Sequence, residues 1–261
     1  MNKKLTAILL SALTFGAFSA SAQTPVAAPT GSWTLTPAIA SQYMFRGVRL
    51  AGPSFQPTIE YGYGALAAGL WANFPIKDKV VGQSDPELDF YASYTIALQP
   101  DVVTLVPGVT IYEYPNAKTK NGFYKTTFEP NLALNYTVGG VTLMPKIYYD
   151  MVLKGPTAEI NAFYAVPLKD AGTELDFSAT FGTYKWDAFA ENTSPDVKNW
   201  GDYWLVGVAV PFAITKTSTL KVGWAYTKGS NNHFKQSTAP RVDNTAAVGR
   251  GVATICLVMK F

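Results

Sequence analysis

Glu87 and Asp89 stand two residues apart, a spacing that puts both carboxylates on one face of an extended chain. Carboxylates held that close can share a proton or hold a cation. The same spacing arises on any acidic strand face, so the pair alone selects neither chemistry. The wider set of ionisable residues on predicted strands is Arg46, Glu60, Glu87, Asp89, Glu129, Lys146, Asp150, Glu159, Glu174, Asp176 and Lys221. Acids outnumber bases in it. Gathered around a channel, such a set would weakly favour cations, as carboxylate rings do in other pores. The alternative is a polar filling, cross-linked to Lys, Arg and Tyr hydroxyls.

Hydrolytic chemistry needs a base beside a nucleophile or an activated water. The chain has one histidine, His233, within Asn231-Asn232-His233-Phe234, with Ser230 and Ser237 near it in sequence. That segment reads as a polar loop, a poor scaffold for a triad. No Gly-x-Ser-x-Gly and no His-x-Glu motif is present. The expectation is no catalytic residue, no metal site and no cofactor. Cys256 is the only cysteine, which excludes an intrachain disulfide and a disulfide-stapled secreted fold.

The elements that carry these residues alternate with period two. Glu87 to Leu98 is the clearest: Leu88, Phe90, Ala92, Tyr94, Ile96 and Leu98 interleave with Glu87, Asp89, Tyr91, Ser93, Thr95 and Ala97. Similar patterns run through Ser32 to Arg46, Thr127 to Thr137, Ala158 to Leu168, Thr173 to Trp186 and Thr219 to Lys228. At the end of the chain Ile255, Leu257, Met259 and Phe261 share one face, with Cys256 on the other. Terminal alternation ending in Phe resembles the last strand of bacterial outer-membrane β-barrels, the signal read by the barrel-assembly machinery. A soluble sandwich that happens to end on Phe is the alternative.

The opposite terminus bears on that choice. Lys3 and Lys4, an apolar stretch from Leu5 to Phe18, and Ala20-Ser21-Ala22 before Gln23 read as a secretory signal peptide over residues 1–22. Residues 23–31 are Pro/Ala-rich and read as a flexible leader. Charged residues are only 15% of the chain, well below the roughly 25% of soluble domains, and aromatics reach 14%. With Lys3 and Lys4 removed, acids and bases nearly balance, so there is no basic excess to recruit nucleic acid. After the signal no apolar run is long enough for a helical span.

Twelve strands are predicted over residues 32–261, with ten or fourteen as alternatives. Short turns follow the even-numbered strands and longer polar loops the odd-numbered ones, the asymmetry of an up-and-down transmembrane antiparallel barrel. A Greek-key sandwich has no reason to alternate loop length so regularly. Prolines within the strand patterns, among them Pro37, Pro57, Pro107, Pro130 and Pro145, are expected at bulges or strand ends.

One stretch resembles a known family. Ser41-Gln42-Tyr43-Met44-Phe45-Arg46-Gly47, then Gln56-Pro57, Gly69-Leu70-Trp71-Ala72-Asn73, Glu87-Leu88-Asp89-Phe90-Tyr91 and Tyr112-Glu113-Tyr114-Pro115 are similar to the TorF-type porin family of proteobacteria. Arg49 stands where that family usually has a small hydroxyl residue. The resemblance covers about residues 33–115 and implies an outer-membrane barrel and a pore, without a substrate. Arg46 is expected at the outer end of the first strand, paired with lumen carboxylates or with lipopolysaccharide phosphates.

The sequence thus points to an all-β outer-membrane barrel of a Gram-negative bacterium, exported through the periplasm and in contact with lipid and lipopolysaccharide. It would pass ions or small polar solutes passively. A non-conducting structural or adhesion barrel, plugged by its own inward Tyr and Phe residues, is the other reading.

Overall fold

A computed structural model describes residues 31–79, 85–117, 124–185, 200–229 and 249–261. The predicted signal peptide, nearly all of the leader and the His233 segment lie outside the described residues. Seventeen β segments account for most of what is described. In chain order they are β1 (Ser32–Thr36), β2 (Ala38–Ala40), β3 (Tyr43–Phe45), β4 (Val48–Ala51), β5 (Ser54–Phe55), β6 (Thr58–Tyr63), β7 (Leu66–Pro75), β8 (Glu87–Tyr94) and β9 (Ile96–Gln99). There follow β10 (Val103–Glu113), β11 (Thr126–Val138), β12 (Val141–Asp150), β13 (Gly155–Leu168), β14 (Thr173–Tyr184), β15 (Gly201–Ala213), β16 (Ser218–Gly229) and β17 (Arg250–Lys260).

Fifteen of these form one antiparallel sheet; β3 and β4 form a separate two-stranded sheet, with one further bridge from Ala51 to Lys79. Three pairs of segments are single strands with a break. Pro37 separates β1 from β2, Gln56-Pro57 separates β5 from β6, and Thr95 separates β8 from β9. The wall therefore has twelve strands. It closes where β17 meets β1 and β2, with Leu35 opposite Met259 and Ile39 opposite Ile255. Phe261 and Trp33 exchange both backbone hydrogen bonds there, at 2.9 and 3.1 Å. Closure removes the exposed edges that an open sheet would leave.

Proline is tolerated in this wall better than the sequence suggested. Pro107, Pro130 and Pro145 lie inside β10, β11 and β12 rather than at their ends. A proline deletes one donor, so the cost falls on one ladder only. Around Pro145, β12 pairs with β11 at Lys146–Tyr148 and again at Val141–Leu143, while its ladder with β13 runs through Pro145↔Ile160 unbroken.

Both described termini and five short connections lie at one end of the barrel, the turn end. The connections near residues 64, 101, 139, 171 and 216 are all there. Asp101, Gly139, Gly140 and Gly172 adopt positive φ in these turns. The other end, the loop end, carries the longer connections. One departs from the sequence reading: only Met151–Lys154 joins β12 to β13, because Gly155 to Thr157 are already paired in the wall.

Alternation sorts the side chains by face. In β8, Glu87, Asp89, Tyr91 and Ser93 are buried, while Phe90 and Tyr94 are exposed. Outside the barrel, Ile59, Leu132, Ile147, Ile160, Val222 and Ile255 are exposed. Exposed aromatics flank them: Trp33, Tyr63, Tyr94, Tyr136 and Tyr164 toward the turn end, and Phe55, Phe74, Phe128, Tyr149, Phe181 and Trp204 toward the loop end. An apolar outer band between two aromatic girdles is what a barrel meets lipid with. No helix among the described residues is long and apolar enough to cross a membrane, which says nothing of strands.

Candidate functional site

The largest difference from the sequence reading is at the first strand. It was expected to run from Ser32 through Arg46. The wall strand ends at Ala40, and the chain then turns into the barrel. Ser41 ties the departure point to β17: its N–H donates to Ala253 O (2.8 Å), and its Oγ accepts from Ala253 N–H (2.9 Å). From there β3 and β4 form a short hairpin inside the interior, and the chain rejoins the wall at Ser54.

The hairpin is packed on both flanks. Met44, 1% exposed, sits in a cluster with Ala40, Leu205, Ala225 and Val252. Tyr43 and Ala51, both 0% exposed, cluster with Trp71 and Tyr91 across the interior. The Tyr43 and Trp71 rings lie 5.5 Å apart, and Phe45 meets Tyr112 edge-on at 6.2 Å. Three successive apolar residues, Tyr43-Met44-Phe45, therefore all find partners. In a wall strand, one face of such a run would point at lipid and the other at the lumen.

Arg46 and Gly47 form the hairpin tip, with φ of +46° and +79°. Positive φ at both central residues is the geometry of a type I′ turn, which matches the twist of paired strands. Glycine takes it freely, whereas arginine does so at a cost of about 1 kcal/mol or more. Gly47 is also needed for space. A Cβ there would lie 2.5 Å from Gly229 Cα and 2.8 Å from Tyr203 Cβ. Backbone meets backbone where the tip touches the loop end of β16.

Arg46 is compensated by the wall. Its two terminal nitrogens donate to both oxygens of Glu129, at 2.8 and 2.9 Å, and both side chains are buried. Tyr112 Oη also donates to Glu129, at 2.8 Å. The guanidinium carbon lies 4.7 Å from the Phe45 ring centroid and 4.9 Å from that of Tyr148. A bidentate, desolvated Arg–carboxylate pair is among the strongest polar contacts available to a protein.

Tyrosine hydroxyls answer most of the other interior carboxylates. Tyr43 and Tyr114 donate to Glu87 at 2.7 and 2.8 Å, Tyr91 to Glu60 at 3.0 Å, and Tyr148 to Glu159 at 2.6 Å. Tyr203 donates to Glu159 as well. Tyr114 lies just beyond β10, and its burial, with the Glu87 charge beside it, pushes the phenol well above its ordinary value. It stays a donor. Asp150 accepts from Thr127 Oγ1 (2.5 Å) and from the backbone of Val152 and Leu153. Toward the turn end, Lys221 Nζ pairs with Asp176 at 2.7 Å, and Glu174 is half-buried nearby. Lys146 Nζ lies 4.5 Å from the Tyr148 ring centroid. Gln56 Oε1, Asp89 Oδ1 and both amide atoms of Asn131 have no hydrogen-bond partner among the described residues. Polar atoms left so call for solvent.

All eleven ionisable residues singled out in the sequence face the interior, but they do not form one ring. Glu87, Asp89 and Glu129, together with Lys146, Glu159 and Arg46, gather at the loop-end half around the hairpin. Glu60, Asp176 and Lys221 lie farther toward the turn end. No group of three or more His, Cys, Asp or Glu with metal-ligand geometry occurs among the described residues. The five stretches that carry the family resemblance converge on one place. Tyr43 binds Glu87, Gln56 Nε2 donates to Asn73 Oδ1 (3.0 Å), Trp71 and Tyr91 pack on Tyr43, and Tyr112 shares Glu129 with Arg46. They are the hairpin and its cradle. Sequence reasoning missed the inward fold. The available signal was Arg46-Gly47 between two short apolar runs, a hairpin pattern read instead as a strand end.

A closed twelve-stranded wall, apolar outside and polar inside, defines a porin-like β-barrel. The chain belongs to the family described as "Bacterial protein of unknown function (Gcw_chp)", whose profile matches residues 26–249. No curated protein matches the sequence. Among solved structures it is similar to the KdgM porin, at 10% identity and a TM-score of 0.52, over 88% of this chain and 99% of that one. A KdgM porin in complex with disordered oligogalacturonate gives a TM-score of 0.51 at the same identity and coverage. An outer membrane channel from Pseudomonas putida F1 aligns over 92% of this chain and 97% of that one, at 11% identity and a TM-score of 0.45. At 10% identity the likeness to the two KdgM structures speaks to the fold alone.

Proposed function

We propose that this protein is a porin-like barrel of the bacterial outer membrane that passes ions or small polar solutes by passive diffusion, through an interior narrowed by the Tyr43–Ala51 hairpin. One observation carries the reading: an interior rich in buried polar and charged side chains inside a closed wall whose outer face is an apolar band between aromatic girdles. Lipid solvates such an exterior, and only a closed barrel or a helix satisfies every backbone group there. The signal-peptide pattern of residues 1–22 supports export to the periplasm, and the likeness of residues 33–115 to the TorF-type porin family supports a pore. On this reading Ile255, Leu257, Met259 and Phe261 present the closing strand to the assembly machinery, and deleting Phe261 lowers insertion without changing conductance per inserted barrel. The reading assigns no energy coupling and no enzymatic step.

Any cation preference is weak. The interior carboxylates outnumber the cations; Arg46 and Lys221 neutralise Glu129 and Asp176, while the phenols on Glu60, Glu87 and Glu159 stabilise those carboxylates without cancelling their charge. Planar-bilayer recording of the refolded protein tests the proposal. Stable ion-conducting steps, with a reversal potential slightly on the cation side under a salt gradient, are expected. Silence from a heat-modifiable, correctly folded barrel would instead favour the second reading, a structural barrel sealed by its own hairpin. The dense packing of Met44 and Tyr43 is the observation behind that alternative.

A further inference from the structure

The Arg46 contact is a complete recognition site for a guanidinium group, built with its own occupant. Three features separate it from a routine ion pair. First, the acidic partner belongs to the rigid wall. Glu129 is on β11, inside a ladder with β10, and Tyr112 from the neighbouring strand holds its Oε2. The basic partner sits instead on a hairpin that hydrogen-bonds to no wall strand through its own ladder. Second, the guanidinium is met as a plane: two parallel N–H···O bonds on its edge and the wall's Tyr148 ring 4.9 Å from its carbon, with the hairpin's own Phe45 ring at 4.7 Å. That set suits a flat delocalised cation better than a compact ammonium. Third, Arg46 stands at a positive φ that the type I′ turn requires but an arginine does not favour.

We infer that the wall around Glu129 is a binding site for guanidinium-bearing solutes, and that Arg46 is its tethered competitor. The inference rests on the pore reading only for how a solute arrives. When the tip leaves, the wall keeps Glu129, Tyr112 and Tyr148 in place. Lys146, the nearest wall cation, stands opposite Glu159 in the β12–β13 ladder and above the Tyr148 ring, so it does not take Arg46's place as a fork-shaped donor. What remains accepts a cation. An anionic solute would have to follow Arg46 away from the wall. Tethering sets the competition: a short linker gives an effective concentration in the millimolar range, so a free solute must reach about that level to displace the tip.

The test uses the full chain refolded in detergent and needs no conductance, so it fails or succeeds independently of the pore. Methylguanidinium is titrated into Arg46→Ala by calorimetry, with methylammonium and acetate as controls at equal ionic strength. One saturable methylguanidinium site is expected. It should weaken about tenfold or more in Arg46→Ala/Glu129→Gln, the range for losing charged hydrogen bonds, and methylammonium should bind less tightly. Equal affinity in the two variants, or no binding to a heat-modifiable Arg46→Ala barrel, would overturn the inference. Should Arg46→Ala not refold, the wild-type protein gives a second readout. Chymotrypsin cleavage after Tyr43 or Phe45, which does not depend on a cationic side chain, should accelerate in tens of millimolar methylguanidinium but not in methylammonium. No acceleration, or acceleration by acetate instead, would contradict a wall-borne cation site.

Discussion

Toward the turn end, interior charges are held from wall strand to wall strand. Lys221 reaches Asp176 on β14, two strands away, and Tyr91 reaches Glu60. Toward the loop end, Glu87 and Glu129 are met by Tyr43 and Arg46, residues that have left the wall. In the first region the polar filling belongs to the barrel itself and leaves with it only on unfolding. In the second, the filling is a separate element whose contacts can break while every wall ladder stays intact. On the proposed pore reading, the hairpin should set the barrel's permeability and the wall its stability.

Substitutions in each region should separate these two properties. Glu129→Gln has the largest expected effect on the hairpin. Breaking a buried ion pair by removing one partner costs about 3 kcal/mol or more, here charged to docking of the tip. Trypsin should cut at Arg46 or Arg49 far faster, while heat-modifiability of the barrel changes little. Parallel loss of both would mean that the hairpin supports the wall, and the distinction between the regions would fall. Gly47→Ala comes next. It meets both a strained φ and a clash with the Gly229 backbone, and about 2 kcal/mol of docking should be lost. Its single-channel conductance should rise toward that of Glu129→Gln.

In the turn-end half the sign of the outcome reverses. Asp176→Asn should lower barrel stability by about 1 kcal/mol, because Lys221 stays close to Glu174 and is not left wholly uncompensated. Denaturant unfolding in detergent would register the loss, and conductance should not increase. Back at the loop end, beside the hairpin tip, Tyr203→Phe is the smallest perturbation. It removes one of two phenols on Glu159 and leaves the ring packed against Tyr184, so about 1 kcal/mol or less is expected.

The contrast also explains what was legible in the sequence. The wall could be read because period-two alternation is a local rule: Phe90 outward and Glu87, Asp89 and Tyr91 inward follow from β8 alone. Closure could be read from Ile255 to Phe261 for the same reason. The hairpin could not be read that way. Tyr43-Met44-Phe45 breaks alternation, and whether it turns inward depends on Trp71, Val252 and Glu129, residues far away in the chain. The carboxylate partners were hidden likewise. Glu87 and Asp89 look like a pair on paper, yet Glu87 is held by Tyr43 and Tyr114 from two other segments. Pro37 and Pro57 fall at strand breaks as expected, whereas Pro107, Pro130 and Pro145 lie inside strands for a simpler reason: each strand has two ladders, and losing a donor in one leaves the other whole.

The central proposal is that Tyr43–Ala51 narrows the interior of a pore. Single-channel recording of a variant in which residues 42–52 are replaced by a short Gly/Ser turn, beside the wild type in the same bilayer and salt, tests it most directly. The account predicts an intact heat-modifiable barrel whose unitary conductance is severalfold larger. An intact barrel with unchanged conductance would contradict it.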